Sequence, residues 1–288
     1  MNEGPLLPDQ HLLSRVLIKR FMSVDGRLRF YDLRTRRSVV KSYGPAGRGG
    51  AYTPHAPAEM EAIWGKLESR VPAALAAIDA GTVFDDESHV QTLKHLIALH
   101  FFRSSENRRL FDRTVATRLD GAVDLKRARL YQPKESAGPT KVPTHNELFS
   151  AFIDPETPTQ IFEELFQGLQ SDWFSRSAVD VRGTGLEIWD TDSDLVLPDV
   201  GALAFDESGN LSGKPFREVS TVVLPIGRRL LISLGPENAR GPVGQAVVDT
   251  LTRSSFSAAL RWVYSHPDAD VGALAFGEES ETSDLHPS

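Results

Sequence analysis

In HLLSRVLIKRF the apolar side chains Leu12, Leu13, Val16, Leu17 and Phe21 keep to one helical stripe, which predicts a helix over about residues 11 to 21. The period then changes. Leu28 and Phe30 alternate with Arg27, Arg29 and Tyr31, LRTRR reads as a turn, and SVVKSY extends again, which predicts a two-stranded hairpin exposed on its arginine face. GPAGRGGAYTPHAP is loop by its glycines and prolines. Helical spacing resumes from about Pro57 through Met60, Ile63, Trp64, Leu67 and Val71, with Pro72 as a kink or join. It returns from about Asp86 to Leu119 through Val90, Leu93, Leu96 and Ile97.

The polar segment near residues 132–146 carries several prolines and is where a single domain of residues 1–276 would subdivide. Ile161, Leu165, Phe166, Leu169 and Trp173 then share one face of a helix expected over about 158–175. After it TGLEIWD, ALAFD, STVVLPI and RRLLISLG read as short strands bounded by turn residues, and VGQAVVDTLTRSSFSAALRWVYS as a last helix over about 242–265. The acidic tail, 277–288, has no periodicity and is expected to be disordered. The fold class that follows is α+β: a helix-rich N-terminal two thirds with a short β-hairpin, then a mostly antiparallel sheet closed by a C-terminal helix.

A chain of 288 residues is long enough to bury a sizeable core without metals or disulfides. It has no cysteine, which excludes disulfides, thiolate nucleophiles and thiolate metal sites. The start, MNEGPLLPDQHLL, lacks the charged-then-apolar pattern of a signal peptide, and no apolar run is long enough for a bilayer, so a cytoplasmic protein with no membrane partner is expected. The net charge of −7 hides a gradient: 10 Lys and Arg against 4 Asp and Glu in residues 1–50, 13 against 13 in residues 51–150, and 9 against 22 in residues 151–288. Such a gradient fits either a basic surface for an anionic partner or two parts of one fold that attract each other.

The order of several short motifs resembles a bacterial family known as domain of unknown function 4238. His11, Ser14, Leu17 and Phe21 resemble its His-x-x-Pro-x-x-x-Leu-x-x-Phe start, with Ser14 in place of proline, and Arg29, Phe30, Tyr31 and Asp32 resemble the strand that follows. Arg103, Ser104 and Ser105 look like its Arg-Thr-Pro helix end. Thr191 to Asp194 with Val196 resemble its Ser-Asp-Asn-Pro-Val turn, Leu224 to Arg228 its Leu-Pro-Leu-Ser-Pro strand, and Arg261 to Tyr264 its closing Arg, aromatic, Val-Tyr. The resemblance spans about residues 9 to 266. It implies no activity, but it marks His11, Arg103 and Asp192.

WDTDSDLVLPD, residues 189–199, holds Asp190, Asp192, Asp194 and Asp199. The first three match positions 1, 3 and 5 of a calcium loop, but Leu195 stands where the loop needs glycine and Gly201 where it needs a bidentate glutamate, so an EF-hand is excluded. Pro198-Asp199 supplies half of a nuclease motif whose lysine is absent at the required spacing. On a strand, residues 190, 192 and 194 would share one face in steps of about 6.6 Å and could hold a divalent cation such as Mg with help from elsewhere. The bland alternatives are a solvated turn that caps a strand or intramolecular pairing with the basic N-terminal hairpin. His95 and His100 diverge on their helix and cannot share a metal, and the Arg261-x4-His266 spacing is read as chance. No phosphate-binding loop, dinucleotide fingerprint or nucleophile elbow is present.

Two readings follow. In the first, His11 as acid–base group, Arg103 as anion clamp and Asp192 as metal ligand or orienter, with Asp190 as a further metal ligand, converge on one cleft that binds or hydrolyses a phosphate-bearing or nucleic-acid partner. In the second, the chain is a non-enzymatic protein-interaction module whose polar residues hold the fold together.

Overall fold

Alternation along RLRFYD sends Leu28 and Phe30 to one face and Tyr31 to the other, and all three are buried, so the strand they form is covered on both sides. The computed structural model describes residues 13–42, 65–102, 184–214, 216–269, 271, 272 and 274. A short helix α1 (Arg15–Lys19) leads into β1 (Arg27–Asp32), which pairs with β2 (Arg37–Ser42) as the expected hairpin. The Asp32 side chain accepts the Arg34 N–H at 2.9 Å and Arg36 adopts a φ of 54°, which together close the turn.

A helical turn at 65–68 ends before α2 (Val71–Ala80), where Pro72 sits in the first turn and marks a join, and Gly81 caps the end in the left-handed region at φ 75°. A 3-10 turn, Val83–Asp85, leads to α3 (Glu87–Phe102). On α3 the predicted stripe Val90, Leu93, Leu96 and Ile97 is fully buried against the second sheet, each side chain contributing about 1.5–3 kcal/mol by leaving water. Lys94 is buried on the same helix and donates to the Thr184 carbonyl, which ties α3 to the start of the next strand.

The rest of the described chain is mainly strand: β3 (Gly185–Asp190), β4 (Val196–Pro198), β5 (Leu203–Phe205), β6 (Thr221–Gly227), β7 (Leu230–Gly235), β8 (Ala239–Pro242), then α4 (Gln245–Ala258) and β9 (Trp262–Ser265). They make two sheets, ordered β2-β1-β9-β4 and β5-β6-β7-β3-β8, antiparallel throughout except where β8 runs parallel to β3. One continuous core lies between the helices and both sheets, and a smaller one of Tyr31, Val196, Phe256, Val263 and Val271 covers the other face of the four-stranded sheet. The α+β class with mostly antiparallel sheets is thus observed.

The closing helix is corrected. It stops at Ala258, and residues 262–265 return as β9 between β1 and β4. The cause is local: the buried Asp199 carboxylate accepts the N–H groups of Leu260, Arg261 and Trp262 at 2.8, 2.9 and 3.0 Å, donors that a continuing helix would have turned inward. The expected helices over 103–119 and 158–175, the segment 132–146 and the tail 277–288 lie outside the described residues, and with them most of the helical content expected of the first two thirds. Among the described residues no helix is long and apolar enough to cross a membrane.

Candidate functional site

The acidic stretch is the crossover between the two sheets. It leaves the five-stranded sheet at Asp190, enters the four-stranded one at Val196, and returns at Leu203. Because β3 ends at Asp190, residues 190, 192 and 194 do not share a strand face, contrary to the expectation from spacing. Along this link Thr191 and Leu195 donate their N–H groups to the carbonyls of Arg229 and Arg228, so the crossover is laced to the β6–β7 turn.

Each buried or half-buried acid of the crossover closes on a partner. Asp190 accepts both forks of Arg240 at 2.8 and 2.9 Å, and the same guanidinium donates to the Ile78 carbonyl of α2 at 2.8 Å. Beside it Arg20 repeats the arrangement, holding Asp79 through two bonds of 2.7 Å and the Ile226 carbonyl at 2.9 Å. The Arg20 fork holds the Asp79 carboxyl below the usual range. Asp194, with 15% of its side chain exposed, receives Arg228 at 2.6 and 2.9 Å and Arg229 at 3.4 Å. Burial pushes the Asp194 carboxyl up, but the two guanidiniums outweigh it and leave it lowered. Burial is the stronger influence at Asp199, raising its carboxyl against the three N–H donors. Asp192 differs from these three: it is exposed at a bend, and no hydrogen bond or ion pair joins it to another described residue.

His11 and Arg103 lie outside the described residues, but Leu13 after the one and Phe102 before the other are described. Ser14, just after His11 in sequence, donates its hydroxyl to Glu68 at 2.7 Å and lies 3.1 Å from Nε2 of His100, just before Arg103. With that proton directed to Glu68, the Ser14 oxygen accepts from Nε2–H of His100, which is fully buried. Gly201, at φ 76°, packs so closely that a Cβ there would fall 2.9 Å from His100 Nδ1. The start of α1, the end of α3 and the end of the crossover therefore meet at one polar contact.

A histidine, an arginine and aspartates do come together, with other members than the sequence suggested. His266 Nδ1 accepts the Asp268 N–H at 3.2 Å and stands 3.4 Å from its carboxylate, which is 3.8 Å from Arg228. The His266 imidazole is pushed down by burial and by the charge of Arg228. Arg29 fixes this loop by donating to the Pro267 carbonyl at 3.1 and 2.6 Å. Arg261 turns elsewhere, to Asp32 at 3.5 Å and over the Trp262 ring at 4.6 Å, so its sequence spacing to His266 joins nothing. No spacing rule could have found His266 with Arg228, since they come from different sheets.

The hairpin is the opposite of the crossover. Residues 27–42 carry Arg27, Arg29, Arg34, Arg36, Arg37 and Lys41 against the single acid Asp32. Arg34, Arg36, Arg37 and Lys41 are exposed. Lys41 lies 4.5 Å from the Phe30 ring centroid and 5.8 Å from that of Trp262. Among the described residues no three His, Asp or Glu side chains form a group able to hold a metal ion. Comparison with protein-family models, with characterised proteins and with solved structures finds no match to this chain.

Proposed function

We propose that this chain is a non-enzymatic interaction module whose paired charges hold its two sheets and its helices together. One observation carries the reading: Arg20, Arg240 and Arg228 each close on an aspartate while they or the backbone beside them bond across elements. A carboxylate held by a guanidinium fork is poorly placed to ligate a cation or accept a proton from a substrate. The test is unfolding temperature with and without millimolar Mg²⁺, Mn²⁺ or Ca²⁺, for the wild type and for Asp192→Asn and Asp190→Asn. The module predicts no metal shift, a loss of stability for Asp190→Asn and almost none for Asp192→Asn. A metal-dependent rise that Asp192→Asn abolishes would overturn it.

The second reading, in which His11, Arg103 and Asp192 act on a phosphate-bearing partner with Mg held by Asp190 and Asp192, is favoured by the contact between Ser14 and His100, which draws the chain beside His11 and Arg103 to one place. The same metal titration decides between the two. A cytoplasmic location and membership of the domain of unknown function 4238 family belong to this proposal. At Ser14 the hydroxyl makes a bond that the family's proline could not, which accounts for the departure in physical terms.

A further inference from the structure

We infer that the hairpin is a docking surface for single-stranded nucleic acid, which grips the phosphate backbone with Arg37 and Lys41 and stacks a base against Trp262. The inference rests on the interaction-module reading and names its partner. In a chain of net charge −7, residues 27–42 concentrate six cations against one acid, so this ribbon attracts a polyanion despite the acidic total.

Not every cation in it is available. Arg29 is committed to the Pro267 carbonyl, Arg27 to Asp25 at 2.6 Å and Arg261 to Asp32 at 3.5 Å. Arg37 and Lys41 are exposed and stand opposite Asp32 and Leu28, on one face of β2 about 13 Å apart by strand rise. Trp262 lies opposite Asp32 on that same face, partly buried against the core, with the Arg261 guanidinium 4.6 Å and the Lys41 ammonium 5.8 Å from its ring. An indole set among cations is the combination that contacts phosphates and a base face together, as a plain acidic peptide would not require. A duplex keeps its bases stacked inside and would leave the ring unused.

The full-length chain is titrated with a labelled single-stranded oligonucleotide of mixed sequence, its duplex and polyglutamate, at low and moderate salt, while tryptophan emission is followed. The inference expects the single strand to bind tightest and quench emission. It expects log K to fall steeply with log salt, and Arg37→Ala/Lys41→Ala to weaken binding about tenfold and flatten the slope by about 1.4, near 0.7 per phosphate contact, with an unchanged unfolding temperature. Trp262→Phe should remove the quench while leaving the salt slope in place. Equal binding of polyglutamate, tighter binding of duplex, or an unaffected double variant would each overturn it and leave the module reading intact. A metal shift lost in Asp192→Asn would instead remove the reading beneath it.

Discussion

In the crossover, Asp190, Asp194 and Asp199 each close on a partner inside the fold, whereas on the hairpin Arg37 and Lys41 stay exposed. Both stretches are rich in one sign of charge. What separates them is position in the topology. The crossover passes between two sheets, where an unpaired Asp194 or Asp199 would lose water without compensation, so the β6–β7 turn arginines and the backbone before β9 meet them. The hairpin lies at the edge of its sheet among the described residues, where water solvates a cation at little cost. A run of charge in a sequence therefore does not by itself mark a site, and the acidic run that draws attention first is the structural one.

Substitutions sharpen this contrast in order of size. Asp199→Ala should cost the most, about 3–5 kcal/mol in urea unfolding, since it leaves the N–H groups of Leu260, Arg261 and Trp262 without their acceptor beside a buried strand. A cost below about 1 kcal/mol would mean that β9 does not depend on this cap. Arg240→Ala follows at about 1–2 kcal/mol, because its fork joins β3 to α2 but is a third exposed. The paired Arg37→Ala/Lys41→Ala change should stay within about 0.5 kcal/mol, and a larger loss would erase the difference between the two regions.

Acid pH probes the crossover separately. The Asp194 carboxyl is lowered in the fold, so as pH falls the unfolded chain takes up the proton first. The stabilisation is then complete above about pH 4 and is lost as pH falls through the folded value. Asp194→Asn should flatten the fall in unfolding temperature between neutral pH and pH 3, and an unchanged acid limb would show that the pair contributes nothing.

The hairpin and β3, β5, β6 and β7 were legible in the sequence because alternation and flanking turn residues act locally. β4 ends on Pro198 and β8 reads ARGP, so turn residues mask both, and β9 is concealed because Phe256, Leu260 and Val263 continue a helical spacing that only the distant Asp199 interrupts. The same holds for the site. Asp190 is read from the sequence as a further metal ligand, whereas in the fold it closes on Arg240, 50 residues away, and no spacing announces that partner. The buried Ser14–His100 contact joins residues 86 apart, so Ser14 reads only as a departure from a motif and His100 only as unable to share a metal with His95.

The central claim, that the crossover acids are structural, is tested most directly by a double-mutant cycle of Asp194→Asn and Arg228→Ala in urea unfolding. The geometry predicts a coupling of about 1–2 kcal/mol between the two side chains. Variants that fold and show a coupling below about 0.3 kcal/mol would contradict it.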